Sequence, residues 1–295
     1  MRCPKCRSLN VKKNGIKILV SGGRNQEFRC RGCKAYFSME ISVATANELD
    51  FVEPGDIVQV NSKKTLRIHG LTDIHVGAVE HDFDKFEEAI DIIDKDDDAR
   101  WFGNGDLLEL IPPNYKINQR GQDIPPEEQY LEFSRIVDRI KDKCLFIRGG
   151  NHDYIRSFNI LDFDVCKVLA HEIGAPYYRM PGYTRINING SSYNLVSGHG
   201  KSGGKNGDAE LEKMAAVYSD GDVYFLGHNH QLYTKPMDSI VIGDNNEEEM
   251  RRKWFIRGGS FLNYADYARY SFFPIGRTGW VTIEFAETGI RCWEN

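Results

Sequence analysis

The chain has 295 residues and a net charge of −5, and 41% of its residues are hydrophobic. This length suits one large α/β domain with a small accessory module, and the apolar content excludes a chain dominated by disorder. No apolar run approaches the roughly 18 residues of a membrane span, and the first residues lack a signal-peptide core. We therefore expect a cytoplasmic protein that does not associate with membranes.

The first 40 residues carry their own charge and their own cysteines. They hold ten lysines and arginines against two glutamates, a net charge of +8, which leaves −13 on the remainder of the chain. Two Cys-x-x-Cys pairs, Cys3/Cys6 and Cys30/Cys33, are separated by 23 residues, a spacing that predicts one tetrahedral structural Zn²⁺ site. Because the module is too small to fold on an apolar core, we expect Zn²⁺ to stabilise it.

Short strands are predicted at 16–20 and 27–29, around a turn at 21–24. The cysteine pairs, together with Lys13-Asn14-Gly15 and Phe37, resemble the N-terminal zinc ribbons of insertion-element transposases. This resemblance and the basic charge imply nucleic acid as a partner for residues 1–40, and a purely structural module is the alternative. Residues 41–64 are predicted to be a linker or edge strand, and the main domain to span 65–295.

Further along the chain, five predicted strands each end at a compact block of metal-binding side chains. The strands cover 66–71, 100–102, 144–147, 193–196 and 223–226, and helical periodicity at 83–93, 127–140, 160–173 and 209–218 lies between them. This alternation predicts that the blocks meet at the carboxyl edge of one sheet, with strands at 254–256 and 280–283 forming a second sheet packed on the first. The blocks are Asp73-Ile74-His75, Gly105-Asp106, Gly150-Asn151-His152-Asp153, Gly198-His199-Gly200 and Gly227-His228-Asn229-His230.

In this order the blocks match the motif of the calcineurin-like metallophosphoesterases without a missing ligand, and residues 65–295 resemble a member of that superfamily. The segment 259–267 resembles a segment of its phage and prophage members. The resemblance implies an α/β fold, a four-layer αββα sandwich, and two metals that share one aspartate. The implied ligands are Asp73, His75, Asp106 and His230 for one metal, and Asp106, Asn151, His199 and His228 for the other.

Imidazole and oxygen ligands suit two divalent metals, of which we favour Mn²⁺ over Fe or Zn²⁺. The two oxygens of Asp106 are expected to be shared between the cations. Such a pair lowers the pKa of a bridging water, and the resulting hydroxide is the expected nucleophile. We expect His152 to protonate the leaving oxygen, with Asp153 or Asp73 orienting its ring.

The loop after the fourth block imitates a nucleotide-binding P-loop, but Leu195 stands where the first glycine is required. We therefore interpret 198–207 as a loop near the substrate, in which Lys201 and Lys205 are candidate phosphate contacts or solvated side chains. Glu109 and His81 follow ligand blocks closely enough to support the ligands from behind, and a surface position is the alternative for His81.

Three functions are compatible with these motifs. The basic module beside a metal site favours a phosphodiesterase or nuclease acting on nucleic acid. In addition, the 73–77 and Gly-Asn-His-Asp blocks resemble those of double-strand-break repair nucleases in the same superfamily. The second possibility is a phosphomonoesterase or small-nucleotide phosphodiesterase that uses the ribbon for docking. The third, a non-catalytic nucleic-acid-binding protein, predicts a missing ligand or a missing His152, and neither is missing.

Overall fold

The computed structural model describes residues 2–18, 24–40, 51–52, 57–112, 121–201, 207–243, 246–264 and 276–295. The chain divides into two compact units, Met1–Leu49 and Asp50–Asn295. In the described part, no helix combines the length and the apolar character that crossing a bilayer requires.

The first unit contains a three-stranded antiparallel sheet. Strand β1 (Val11–Ile18) pairs with β2 (Arg24–Cys30), which pairs with β3 (Tyr36–Glu40). Strand β1 starts earlier than the predicted strand, β3 has no counterpart among the predictions, and positions 21–23 of the predicted turn lie outside the described residues. Phe28 and Phe37 are cross-strand partners whose rings stack with centroids 5.5 Å apart.

The second unit contains two mixed sheets and their helices. The helices are α1 (Phe83–Lys95), α2 (Pro126–Val137), α3 (Ser157–Leu161), α4 (Val165–Ile173) and α5 (Gly207–Val217), with a 3-10 helix at Asp138–Lys143 and a π-helical turn at Asn151–Arg156. The strands are β4 (Phe51–Val52), β5 (Val58–Ser62), β6 (Leu66–Leu71), β7 (Ala99–Asn104), β8 (Cys144–Arg148), β9 (Tyr177–Tyr178), β10 (Gly182–Ile188), β11 (Ser191–Gly198), β12 (Val223–Leu226), β13 (Leu232–Ile242), β14 (Glu248–Gly258), β15 (Val281–Ala286) and β16 (Gly289–Glu294).

The five strands that precede the blocks are divided between the two sheets, so the expectation of one sheet is wrong. The seven-stranded sheet has the order β16-β15-β6-β7-β8-β9-β4, and the six-stranded sheet has the order β13-β14-β12-β11-β10-β5. After β9 the chain returns to the six-stranded sheet, which already contains β5, through the β10–β11 hairpin. The hairpin turns at Asn189-Gly190, which have φ of 46° and 99°, the left-handed pair that tight hairpins favour. The late strands also divide, since β13 and β14 join one sheet and β15 and β16 the other.

Strands β4 and β5 lie at the edges of different sheets, within the stretch predicted to be a linker or edge strand. Residues 41–50 and 53–56 of that stretch lie outside the described residues. The predicted helix at 160–173 is two helices, because Asp162 has a φ of 56° and the Asp164 side chain caps α4 by accepting from Lys167 N at 3.2 Å.

Three apolar clusters hold the second unit together. One draws side chains from both sheets, including Ile68, Phe102 and Phe225. Another joins the seven-stranded sheet to α1, α2 and α4, and the third joins the six-stranded sheet to α5 through Leu211. Helix α1 contributes the buried face Phe86, Ala89, Ile90 and Ile93, whose spacing is that of one helical stripe. Burying each of its large side chains contributes about 1.5–3 kcal/mol.

Candidate metal centre

The blocks lie at the carboxyl ends of strands from both sheets, and several of their residues have left-handed backbone. Positive φ costs a residue with a side chain roughly 1–2 kcal/mol, so it persists where neighbouring structure enforces it. Here backbone bonds between the first two blocks do so: Asp73 N donates to Gly105 O at 3.0 Å, and His75 N to Asp106 O at 3.0 Å. The affected residues are Asp73 (φ 51°), His75 (53°), Asp106 (51°), His228 (69°) and His230 (56°).

The first group of donors is Asp73, His75 and His230, whose ligand atoms all lie within 4.8 Å of one another. His230 Nε2 is 3.3 Å from Asp73 Oδ1. The Asp73 carboxylate is fixed from behind by Thr72 Oγ1, which donates to Oδ2 at 2.6 Å, and by His228 N at 2.9 Å. These contacts aim the carboxylate at the histidines.

The second group is Asp106, His199 and His228, which also lie within 4.8 Å of one another. His199 Nε2 is 3.2 Å from Asp106 Oδ2 and 3.2 Å from the amide oxygen of Asn151. His199 Nδ1 contacts the Asn104 carbonyl at 2.9 Å, so this nitrogen carries the proton and Nε2 faces the group as a lone pair when the ring is neutral. The structure thus brings all seven sequence-predicted ligands together.

Asp106 lies between the two groups. Its Oδ2 is 3.2 Å from His199 Nε2 and 3.9 Å from His75 Nε2, and its Oδ1 accepts from His152 N at 2.7 Å. The third block approaches Oδ1 closely, since a Cβ on Gly150 would lie 2.2 Å from it. The sharing of both oxygens between cations stays a prediction.

The donor set fits divalent metals on observations of its own. His75 Nε2 is buried and has no hydrogen-bond partner in the described part of the chain, although His75 Nδ1 is engaged by Glu109 at 2.7 Å. Such a buried unpaired nitrogen is costly unless a ligand satisfies it. Donor atoms about 3–4 Å apart, all nitrogen or oxygen, match the spacing around a cation whose ligands lie about 2.0–2.2 Å away.

Charge compensation within the cluster is strong. Burial opposes ionisation of Asp106, but the positive charge of His199 outweighs it and keeps the pKa of Asp106 well below 3.8. Burial likewise opposes protonation of His199, yet the charge of Asp106 raises the pKa of His199 to about 10. A divalent cation between these groups would replace that proton, so binding is expected to release it.

The partner of the His152 ring is Glu109, rather than Asp153 or Asp73 as expected from the sequence. Glu109 Oε2 is 3.0 Å from His152 Nδ1 and 2.7 Å from His75 Nδ1, so one carboxylate orients a ligand and the candidate acid together. Burial opposes protonation of His152, but the charges of Asp106 and Glu109 raise its pKa above 6.5. His81, the other supporting candidate, is half-buried and contacts the Ile74 carbonyl at 2.8 Å.

Asp153 has a different task from the one predicted. It is fully buried, and its two oxygens accept from Leu107 N and Gly150 N, each at 2.6 Å. These bonds join the loop of the second block to that of the third. Asp153 therefore positions Asp106 and Asn151 and does not touch the imidazole of His152.

Arg156 is a site residue that the sequence analysis missed. Its guanidinium is buried, lies 3.1 Å from Glu109 Oε1 and is 3.0 Å from His152 Nε2. It follows His152 by four residues in the π-helical turn, which places both side chains on one face. That spacing after the Gly-Asn-His-Asp block was the available signal. Arg156 holds the Glu109 carboxylate and donates to His152 Nε2.

An ion pair between the buried Arg257 and the half-buried Glu210, also missed, joins the last two blocks. Arg257 is 0% exposed and its Nη2 lies 3.1 Å from Glu210 Oε2, while Nη1 donates to the Gly227 carbonyl at 3.1 Å. Glu210 Oε1 in turn accepts from Lys201 N at 2.8 Å. The pair thus clamps the segments that carry His199 and His228.

Neutralising Glu210, one partner of this ion pair, is expected to weaken metal binding at one of the two groups selectively. In Glu210→Gln the ion pair with Arg257 is lost, so the His199 and His228 segments are held less firmly. We expect the affinity of the group Asp106, His199 and His228 for a divalent cation, measured with Mn²⁺ as the probe, to fall about 10–100-fold. The affinity of the group Asp73, His75 and His230 should stay unchanged. Calorimetric titration of the full chain measures both sites, and Glu212→Gln, an exposed change on the same helix, is the control. Equal affinities in Glu210→Gln and the unaltered protein would contradict the clamp.

The candidate phosphate contacts divide between described and undescribed residues. Lys201 is exposed beside the fourth block, and Lys205 lies outside the described residues. Of the segment at 259–267, residues 265–267 also lie outside them. Phe261 is fully buried in the core that includes Phe86 and Trp280, so its ring serves packing.

In the first unit, the four cysteines converge as their spacing predicts. All four Sγ atoms lie within 4.8 Å of one another, with Cys3 and Cys33 at 3.6 Å and Cys6 and Cys30 at 3.6 Å. Sulfurs placed about 2.3 Å from a tetrahedral Zn²⁺ have nearly this separation. The two cysteine turns have the same backbone conformation at their last residue. Arg7 follows Cys6 with a φ of 58°, and Lys34 follows Cys33 with a φ of 62°. The set fits one closed structural zinc site.

No protein-family model matches the chain, and no curated protein matches it. Solved structures that are similar to it include wild-type Vps29 from Entamoeba histolytica, complexed with Zn²⁺ (13% identity over 78% of this chain and 98% of that one, TM-score 0.42). Others are Vacuolar Protein Sorting 29 from Cryptosporidium parvum (12%, 79% and 97%, TM-score 0.40) and a conserved uncharacterised protein, described as a predicted phosphoesterase, from Streptococcus pneumoniae (15%, 79% and 100%, TM-score 0.36). TM-scores below 0.5 at this sequence identity do not establish a function for the chain. Its function is therefore inferred from its own side chains.

Proposed function

We propose that the chain is a metal-dependent phosphoesterase of the calcineurin-like superfamily, and that it hydrolyses phosphodiesters in nucleic acid. The observation that carries the proposal is the convergence of two donor groups on a single oxygen, Asp106 Oδ2, at the edge of both sheets. Two sites sharing one oxygen hold their cations close together, as two-metal phosphoesterases require. Mn²⁺ is the proposed metal, with Fe or Zn²⁺ as alternatives.

Each side chain has a defined part in this proposal. When bound, the cations would supply an activated water and neutralise charge on the phosphoryl oxygens. Asp73, His75 and His230 hold one cation, Asn151, His199 and His228 the other. Glu109 keeps the His152 ring fixed, and His152 gives its proton to the leaving oxygen. Arg156 Nη2 donates to His152 Nε2 at 3.0 Å, a contact that needs a lone pair on this nitrogen. Arg156 must therefore release Nε2 before the ring carries the proton, and it then adds positive charge beside the departing group.

The fold supports the same proposal. The three apolar clusters suggest the layer order α1, α2 and α4, then the seven-stranded sheet, the six-stranded sheet and α5, a four-layer αββα sandwich. Such an arrangement lets loops from two sheets meet at one edge, where this site lies.

The charge of the first unit favours nucleic acid as the substrate. Seven of its lysines and arginines are exposed, and no carboxylate stands among the side chains described there, at 2–12 and 28–38. The main domain is acidic, so the ribbon supplies the attraction to a polyanion that the catalytic unit lacks. The exposed cations are Arg2, Lys5, Arg7, Lys12, Arg29, Arg31 and Lys34.

Reversing two ribbon charges is expected to weaken DNA binding without affecting catalysis. Lys5→Glu/Arg31→Glu changes one exposed residue in each cysteine turn of the full chain. The logarithm of the DNA-binding constant falls linearly with the logarithm of the salt concentration, and each lost phosphate contact lowers the steepness of that line by about 1. We therefore expect this salt slope to be smaller by about 2 and the affinity for DNA to be lower by about tenfold or more. Fluorescence anisotropy with duplex and single-stranded DNA at several salt concentrations measures both.

The control Lys63→Glu/Lys213→Glu makes the same charge change at exposed sites of the second unit and should leave the slope unaltered. All variants should hydrolyse bis(p-nitrophenyl) phosphate with Mn²⁺ at the unaltered rate. Unchanged DNA affinity in the ribbon variant would refute the nucleic-acid substrate, and faster hydrolysis of p-nitrophenyl phosphate than of the diester would favour the phosphomonoesterase. Absence of Mn²⁺-dependent hydrolysis of either ester would refute the phosphoesterase itself.

A further inference from the structure

Tyr154, Phe158 and Arg179 form an exposed platform outside the metal centre, which we call the arginine platform. The rings of Tyr154 and Phe158 have centroids 5.5 Å apart, and Arg179 Cζ lies 5.6 Å from each centroid. Phe158 is 37% exposed, and the neighbouring Ile155 and Met180 are 47% and 57% exposed. A planar cation and two rings thus face solvent together.

Arg179 is held in place but keeps its charge available. Its Nε donates to Tyr154 OH at 3.0 Å, which fixes the guanidinium plane. Within the described chain its terminal nitrogens have no hydrogen-bond acceptor and it forms no ion pair. The nearby Asp164 carboxylate is engaged elsewhere, by Tyr177 OH at 2.7 Å and Lys167 N at 3.2 Å. The guanidinium of this exposed side chain therefore offers the four N–H donors of its two terminal nitrogens.

The platform borders the ligand loops. Tyr154 belongs to the π-helical turn that starts at Asn151, and a Cβ on Gly149 would lie 2.5 Å from Tyr154 Cβ. On the other side, a Cβ on Gly198 would lie 3.3 Å from Pro181, two residues after Arg179. The Met180 carbonyl between them accepts from the buried Arg148, which also donates to Ser197 Oγ at 3.0 Å. The platform therefore adjoins the segments that carry Asn151 and His199.

We propose that the arginine platform binds the nucleotide next to the scissile phosphate, which rests on the proposed nucleic-acid substrate. The base stacks on the exposed Arg179 guanidinium and the exposed Phe158 ring, and the terminal nitrogens of Arg179 bind its phosphate. Stacking on arginine planes and aromatic rings, combined with a cation for the backbone, is how proteins hold single strands. An apolar protein segment that covered the platform would bury the Arg179 guanidinium without an acceptor, which costs free energy. The charge therefore favours a polyanion over an apolar protein partner.

A thermodynamic cycle on the full chain isolates the stacking. The probes are a fluorescein-labelled oligothymidylate and an abasic strand with the same number of phosphates, bound in Ca²⁺ and shown to be intact on a gel. For the unaltered protein, removing the bases should weaken binding by about tenfold per stacked base. We call the ratio of the dissociation constants of the abasic strand and the oligothymidylate the base-removal penalty. In Arg179→Ala this penalty should shrink, because the guanidinium on which the base stacks is gone. The abasic strand should also bind less tightly, because the cation that binds its phosphate is lost. Arg179→Lys should bind the abasic strand as tightly as the unaltered protein does, because it keeps the positive charge. Its base-removal penalty should be smaller, because it lacks the planar guanidinium.

Phe163→Leu is the matched control, since Phe163 is 44% exposed nearby but lies outside the platform. Phe163→Leu should keep the full base-removal penalty, whereas Phe158→Leu should reduce this penalty. The same penalty in Arg179→Ala as in the unaltered protein, or an equal loss in Phe163→Leu, would overturn the proposal. These readouts are binding constants, so they remain decisive even if no diester is hydrolysed, an outcome that would count against the proposed function alone.

Discussion

Replacing Asp106 by asparagine is expected to abolish binding of both metals and, with it, hydrolysis. Because His152 N donates to Oδ1 at 2.7 Å, the carbonyl oxygen of the asparagine must take that position. The amide nitrogen then stands where Oδ2 faces His75 and His199, and an N–H donor cannot ligate a cation. Losing the metals removes several kcal/mol of transition-state stabilisation, so turnover should fall on the order of 10³-fold or more.

Elemental analysis for manganese after desalting, together with hydrolysis of bis(p-nitrophenyl) phosphate, measures this effect. Asp222→Asn is the matched control, because Asp222 accepts from Asn194 N at 2.8 Å and pairs with Arg251 at 2.9 Å, with no ligand among its partners. It should keep two manganese ions per chain. An Asp106→Asn protein that folds and still binds two ions would show that Asp106 does not bridge through Oδ2.

Removing the His152 imidazole is expected to leave both metals bound while turnover collapses. The backbone N–H that holds Asp106 survives in His152→Ala, and the ring is not among the seven ligands. General acids contribute about 10²–10⁴-fold, and the contribution is greatest for a poor leaving group. We therefore expect a loss of about that size on a nucleotide diester with an alkoxide leaving group, and a much smaller loss on bis(p-nitrophenyl) phosphate, whose phenolate departs without a proton.

Comparing the two substrates separates a proton donor from a structural residue. His171→Ala removes an exposed histidine and should change neither rate. If His152→Ala lost equal activity on both substrates, or lost manganese in parallel with activity, the assigned role of His152 would be wrong. Glu109 remains bound to His75 and Arg156 in that variant, so the ligand loops should keep their arrangement.

Much of the architecture could be read from local patterns. Helix α1 is predicted at 83–93 and found at Phe83–Lys95, because its apolar stripe is long and regular. The predicted strand at 223–226 coincides with β12. The division of strands between two sheets could not be read this way, since sheet membership depends on pairing between distant segments. The Asn189-Gly190 pair indicates a hairpin turn, but it does not indicate which sheet the hairpin joins.

The sequence by itself determined the chemical inventory: seven candidate nitrogen and oxygen ligands in five blocks, four cysteines in two pairs, and a basic first unit. These follow from residue identity and short spacing, which a sequence displays directly. Tertiary structure alone decided that Asp106 faces both groups with one oxygen, that Asp153 joins two loops, and that Glu109 and Arg156 hold His152. Those arrangements depend on how closely loops from two sheets approach one another, a distance that packing of the whole domain sets.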